Sequence, residues 1–306
     1  MNETANAITT MTRTVDIDLH RDWIEHCKHQ LVAGGWTLPP GSPSDEEIAF
    51  AYLNVARRII PACPRAILKS ATFSNPSAPN LQAGLVEIER KILAGDDLRA
   101  HLSRKLRKTD YNDSMLNDWG VQHLHLSDAL GTKGFVTPTG PLLFARFDDA
   151  TAYFIDVLHH GDWSRQSIVQ VLHDNWPDSI EPFRLKGATA VSKSYSDDEI
   201  AQLREGHVNA MVQVSDGTIY APLGGGYAVN GLSSQVVMQG HRCASRLREL
   251  SRHVIDNIEQ VVTGARNQGI EIPAKTKFAL SLPHLENGEV CAIEVQTKVG
   301  VKLGLL

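Results

Sequence analysis

Two apolar, aromatic-rich runs, residues 142–147 and 152–158, are joined through Asp148-Asp149-Ala150, and no other stretch of this chain dictates its own pairing so firmly. Runs of that length with so short a connection predict an antiparallel β-hairpin. Just upstream, Val121, Leu124 and Leu126 alternate with polar residues, which predicts one more strand. Whatever else it does, the chain must build a sheet near its middle.

Helical signals surround that sheet. Trp23, Ile24, Cys27 and Leu31 recur at helical spacing from Asp16 onward, and Gly34-Gly35 stops the run. After the loop Pro39-Pro40-Gly41-Ser42-Pro43, the capping box Ser44-x-x-Glu47 opens a helix through Ala49, Tyr52, Leu53, Ala56 and Ile60. Residues 74–80, rich in Pro and Asn, read as a linker. Asn80 is placed to cap a third helix with Leu85, Ile88, Ile92 and Leu93, closed by Gly95. Ser164 similarly opens a helix carrying Ile168, Val169, Leu172 and Trp176, ended by Pro177. Residues 178–195 read as a second linker, and Ser196-x-x-Glu199 as a second capping box. Asp216-Gly217 and Asn287-Gly288 each mark a hairpin, and Leu247, Leu250, Val254, Ile258 and Val261 form a long helical stripe between them. The expectation is an α+β protein in three parts: a helical region at 15–74, a histidine-bearing α+β domain at 80–186, and a C-terminal α+β domain of two hairpins and a long helix at 190–306. Polar, threonine-rich residues 1–14 read as a loose tail.

Composition narrows the function classes. With 306 residues the chain can bury a core without staples, and about two domains are expected. A net charge of -5 excludes a uniformly basic nucleic-acid coat but leaves room for a local basic patch. The four cysteines, Cys27, Cys63, Cys243 and Cys291, form no C-x-x-C pair, which suits a reducing cytosol and denies a zinc ribbon. No secretory leader and no run of ~18 apolar residues is visible, so a cytoplasmic protein without a membrane span is expected.

Chemistry concentrates in residues 116–176. His123-Leu124-His125 lies in a predicted strand, where period two puts both imidazoles on one face. The second hairpin strand ends in His159-His160-Gly161-Asp162. If the strands pair, four histidines and one aspartate converge. Histidine titrates near neutrality, so paired histidines can act as base and acid in one reaction. RNA supplies its own nucleophile, the 2′-hydroxyl. A metal-free ribonuclease therefore needs a base, an acid and a cation for the crowded phosphate, and Arg146 is placed on the hairpin to be that cation. Zinc held by His123, His125, His160 and Asp162 is the alternative, although His-x-His-x-x-Asp does not match the His-x-His-x-Asp-His pattern of metallo-β-lactamase-like hydrolases. A histidine-rich, half-exposed sheet face without catalysis is the bland account. Arg104, Lys105, Arg107 and Lys108 are candidates for binding a nucleic-acid backbone, or else simply a solvated face.

Residues 85–176, through the helix at Ile88, Ile92 and Leu93, the basic connection, and the runs Leu142-Leu143-Phe144-Ala145-Arg146-Phe147 and Ala152-Tyr153-Phe154-Ile155-Asp156-Val157-Leu158-His159-His160, resemble the core of RelE- and HigB-like toxins. The resemblance implies an mRNA endonuclease with a twisted antiparallel sheet, a toxin or phage-defence effector partnered by an antitoxin. By position it puts Arg146 and His159 or His160 at phosphate-binding and proton-donating places. His123 and His125 fall on a strand where that family more often carries Arg or Lys.

Three other features invite chemistry. Leu223-Gly224-Gly225-Gly226-Tyr227 lacks the Lys and the spacing of a phosphate loop and reads better as a flexible connection. Glu294, Gln296 and Lys298 alternate as in a Mg²⁺ nuclease strand, with Asp216 the only upstream partner, and otherwise form a solvent-facing edge. Trp119, Trp163 and Trp176 are candidates for stacking on bases, though tryptophans beside apolar helices are usually core. A zinc hydrolase and a non-catalytic interaction protein stand beside the endoribonuclease as competing expectations.

Overall fold

The computed structural model describes residues 13–285 and 287–306, together with all their side chains except those of Thr132 and Trp163. The tail expected at 1–14 lies outside the described residues up to position 12. Its last two residues are built in: Arg13 Nη1 donates to the carbonyls of Ile272 and Pro273, at 3.0 and 2.8 Å, and Thr14 pairs with Lys275.

The described strands, in chain order, are β1 (Thr14–Ile17), β2 (Ala66–Lys69), β3 (Gln122–His125), β4 (Pro141–Phe147), β5 (Thr151–His159), β6 (Val212–Gln213), β7 (Ile219–Tyr220), β8 (Lys275–Leu280), β9 (Glu289–Glu294) and β10 (Gly300–Leu305). With helices between them, the chain is α+β. It divides into two compact units, one of residues up to 34, 40–49 and 239–306, the other of 35–39 and 50–238.

The first unit carries the sheet β1-β8-β9-β10, with β1 parallel to β8 and the rest antiparallel. The helix Leu19–Ala33 starts where the Asp18 carboxylate accepts from the Arg21 amide and buries Leu19, Trp23, Ile24, Cys27 and Leu31. β8 and β9 pair antiparallel as the expected hairpin, but through a connection holding a short helix, Leu282–Leu285, rather than a tight turn at Asn287-Gly288.

The second unit is organised by the sheet β2-β5-β4-β3. The hairpin legible in the sequence is its centre, β4 against β5, with a bulge between Phe144 and Ala145. Both faces are covered. Leu142 and Phe144 join a core with Ile168, Val169 and Leu172 of the helix Ser167–Asn175, Ile200 of the helix Asp197–Glu205, and Val212 and Tyr220. Leu143 and Ala145 join the opposite core with Leu85, Ile88 and Ile92 of the helix Pro79–Ala94, and with Leu98, Leu102 and Leu106.

Several expectations need correction. The 15–74 stretch is not purely helical, because β1 and β2 lie within it and pair with strands far away in sequence, β8 and β5. Residues 190–238 belong with the histidine-bearing sheet rather than with 239–306, because their apolar side chains complete its first core. The third helix begins at Pro79, with Ala78 preceding it, since proline's missing N–H costs nothing in the first turn. Ser164 sits in a 3₁₀ turn, and Gln166 precedes the helix without capping it by its side chain. Pro177 ends one helix and starts another, Pro177–Ile180, inside the expected linker. Both capping boxes form: Ser44 with Glu47 and Ser196 with Glu199.

Gly84 lets the helix Pro79–Ala94 lie directly on the chain after β3, since a methyl there would overlap the backbone of Leu126 and Ser127. Gly84→Ala is expected to destabilise by about 1–3 kcal/mol, as overpacking does, and to lower the melting temperature accordingly. An unchanged melting curve would contradict this packing.

Candidate functional site

β3 is the edge strand, and its register decides where the histidines go. His123 stands opposite Phe144, and His125 opposite Leu142. Directly opposed residues in an antiparallel pair share a face, so both imidazoles lie on the side of Leu142 and Phe144, with Leu124 turned to the other core.

His125 is fixed by its surroundings. The Thr139 amide can only donate, so the 3.1 Å hydrogen bond to His125 Nδ1 makes that nitrogen an acceptor and places the proton of the neutral ring on Nε2. Burial, together with the positive charge available to His123 nearby, pushes its pKa down to about 4. The His125 carbonyl accepts from Nδ1 of the buried His101 at 3.1 Å, and His101 Nε2 accepts from Lys91 Nζ at 3.2 Å. His123, part-buried, is likewise held below the ordinary histidine range, mainly by burial, and the positive charges of His160 and Lys105 add to this.

His160 follows the end of β5, its amide donating to Gly140 O at 3.1 Å and its side chain exposed. Its charge bears on both His123 and His125. The 3₁₀ turn Arg104–Arg107 lies alongside, its Leu106 lining a small pocket with His123 and Tyr111. Arg104, Lys105, Arg107 and Lys108 are all exposed. Lys105 Nζ lies 4.9 Å from the Tyr111 ring centroid, and Arg107 holds the Lys133 carbonyl at 2.7 Å. The buried Arg58, at the end of the helix Asp45–Arg58, fixes this turn from below by donating to the carbonyls of Lys105 and Lys108.

Three residues expected here are placed elsewhere or otherwise occupied. Strand alternation puts His159, opposite Pro141, on the face of Val157 and away from His123 and His125. The Asp162 carboxylate accepts from the His159 amide at 3.0 Å and pairs with Arg165 Nε at 3.0 Å, so it closes its own turn. Arg146 is two residues along β4 from Phe144, the partner of His123, and four from Leu142, the partner of His125, about 7 and 14 Å at strand rise. There Arg146 Nη1 reaches the carbonyls of Trp119 and Leu223, and its guanidinium lies 5.5 Å from the Phe183 ring centroid.

Among the described residues, no group of three or more His, Cys, Asp or Glu side chains is disposed to hold a metal ion. Binding a metal through Nε2 of His125 would move its proton to Nδ1, facing the Thr139 N–H. No family model, curated protein or solved structure matches this chain.

The remaining sequence candidates resolve structurally. Glu294 is fully buried and accepts from the Gln296 and Thr297 amides and the Thr276 and Thr297 hydroxyls, while Gln296 and Lys298 lie in the turn after β9 rather than on a strand. The glycine run is not a loose connection: Gly224 and Gly226 donate to Asp118 and Asn117 carbonyls at 2.9 and 2.8 Å, and a Cβ on Gly224 would overlap the Leu116 carbonyl. Trp119 is core, with the Arg204 guanidinium 3.9 Å from its ring centroid, and Trp176 packs on Tyr153. The Trp163 side chain lies outside the described residues. Sequence reading missed His101, Arg58 and two arginines beside Arg146, namely Arg57 and Arg65. The basic end of the helix Asp45–Arg58 was the available signal.

The environment of His125 has a measurable consequence. The unfolded chain takes up a proton near 6.5 and the folded chain only near 4, so this residue makes folding less favourable as pH falls from about 6.5 to about 4. In histidine-ring NMR, the His125 resonances are expected to stay those of the Nε2–H tautomer down to about pH 5. His125→Gln should flatten that part of the stability profile. A midpoint for His125 near 6.5 would contradict the assignment.

Proposed function

We propose that the His123–His125–His160 end of the sheet cleaves RNA, so that the chain acts as an endoribonuclease by acid–base chemistry. The observation carrying this reading is that His123 and His125 share one face of the edge strand, and that the basic turn Arg104–Arg107 lines a small pocket with His123 through Leu106. His123, favoured in its neutral form, takes the proton of the 2′-hydroxyl. His160, exposed at the strand end, gives a proton to the leaving 5′-oxygen. His125, with its proton on Nε2, serves as a donor to a phosphate oxygen rather than as a base. Arg104 and Lys105 supply the cations for the phosphate, while the Arg146 guanidinium is held on the carbonyls of Trp119 and Leu223. On this reading the β3–β4–β5 meander corresponds to the sheet of RelE- and HigB-like toxins, and a protein of antitoxin type is the natural partner.

A second reading, RNA binding without cleavage, is favoured by one observation: the Thr139 amide occupies His125 Nδ1 and the ring is a weak base. Both readings place RNA at the same end of the sheet.

The products separate them. Cleavage in excess EDTA should leave 2′,3′-cyclic phosphate ends. His123→Gln or His160→Gln should each lower the rate by ~10²–10⁴-fold, the range for a lost general base or acid. Lys105→Ala should instead weaken binding across all sequences and shallow its salt dependence. RNA that is bound but never cut would support the binding reading, and RNA neither bound nor cut by folded protein would sink both.

A further inference from the structure

At the other end of β4, Arg57, Arg65 and Arg146 line one cavity of about 250 Å³. We propose that this cavity binds the phosphate group of a small phosphorylated ligand through Arg65 and Arg146, at a site separate from the histidines and independent of the RNA-cleavage reading.

Arginine is almost never buried in proteins without a partner. Elsewhere this chain follows that rule in two ways. Arg204, whose side chain is 5% exposed, pairs with Asp118 at 2.7 Å. Arg58 has no carboxylate at that range, but each of its three nitrogens donates to a carbonyl. The cavity arginines, Arg65 buried and Arg57 and Arg146 half-buried, differ. Among the described residues none of the three forms a carboxylate ion pair, and all their hydrogen bonds go to neutral oxygens.

Arg57 is the fixed member. It donates to Gln235, Asn117 and the carbonyls of Leu116 and Gly224, which spends most of its five N–H groups on the wall. Arg65 is anchored through Nε on Asp148 O at 2.6 Å and through Nη1 on the Pro61 and Cys63 carbonyls, leaving Nη2 without a protein acceptor among the described residues. Arg146 is anchored only through Nη1, on two long bonds of 3.5 and 3.4 Å, leaving Nε and Nη2. Gly120, at φ +64°, makes room for this guanidinium, because a Cβ there would meet Arg146 Nη1. Leu223 O and Gly224 O, consecutive carbonyls, thus hold Arg146 and Arg57 as neighbours, two like charges with no anion between them.

Two carboxylates stand at the rim; the charge of Asp148 reaches Arg146, but neither forms an ion pair with the arginines. The Asp148 side chain is taken up by the Ala150 and Thr151 amides and the Tyr153 hydroxyl. Asp149 is exposed. Planar guanidinium forks suit the oxygens of a phosphate, and the faces of Phe147 and Phe183, already stacked near Arg65 and Arg146, offer an apolar wall for the rest of the molecule. The volume, a little below the ~300–1,000 Å³ of drug-sized pockets, suits a ligand about the size of a mononucleotide.

Calorimetric titration of the full chain with AMP tests this, with pyrophosphate as competitor and adenosine as uncharged control. AMP should bind at one site, pyrophosphate should displace it, and adenosine should give no heat. Arg65→Gln and Arg146→Lys should each weaken AMP binding tenfold or more, the lysine keeping the charge and losing the fork, while His160→Gln leaves it intact. If Arg146→Lys misfolds by circular dichroism, Arg65→Gln alone decides. A 5′-phosphorylated oligoribonucleotide that competes as well as AMP assigns the phosphate to an RNA end, and one that does not assigns it to a free nucleotide. Absence of AMP and pyrophosphate binding at millimolar concentration, or equal affinity in folded Arg65→Gln, would overturn the proposal, whatever the outcome with RNA cleavage.

Discussion

β4 is buried on both faces, and the arrangement of the second unit depends on it. Leu142, Leu143, Phe144 and Ala145 are each 0% exposed, yet alternate residues serve two different cores. A one-residue slip would exchange those sets and present each core with side chains of the wrong size. The register of β3 on β4 is thereby fixed, and with it the face and height at which His123 and His125 stand. The bulge opposite Phe144 then turns Ile155 into the same core as Phe144 while Phe154 keeps to the other.

Polar chemistry is therefore driven to the ends of the sheet. At one end the edge strand and the close of β5 bring imidazoles together beside the basic 3₁₀ turn. At the other, Arg146 emerges among carbonyls of the Gly120 and Leu223 turns. The two ends handle charge differently. Burial holds His123 and His125 below the ordinary histidine range, and neighbouring positive charges add to this. The arginines stay charged and hydrogen-bond only to neutral oxygens, and the Asp148 carboxylate at the rim acts on Arg146 without pairing with it.

What the sequence revealed follows the range of the forces involved. The β4–β5 hairpin, both capping boxes, the Gly95 helix stop and the pairing of His123 with His125 on one face are local, set by spacing and turn chemistry. The α+β class followed from them. The pairing of β1 with β8 and of β2 with β5 is invisible in that way, because each joins strands about 85 or more residues apart and β1 and β2 are only four residues long. The site was half legible for the same reason. Alternation placed His123 and His125, but reading His159, Asp162 and Arg146 into the same cluster took sequence neighbourhood for spatial neighbourhood. Strand alternation turns His159 away, and the carbonyls of Trp119 and Leu223 hold Arg146. The cavity arginines gave no motif, since Arg57, Arg65 and Arg146 meet only through tertiary packing. No described helix is long and apolar enough to cross a membrane.

The claim that RNA is handled at the histidine end is tested most directly by histidine-ring and backbone NMR during titration with a dinucleotide that carries a 2′-O-methyl group and so cannot be cleaved. The account predicts shifts at His123, His125 and His160 and at the amides of Arg104 and Lys105, with the amides around Gly120 and Leu223 unmoved. Shifts confined to the Arg146 end, or none at all with the protein folded, would contradict it.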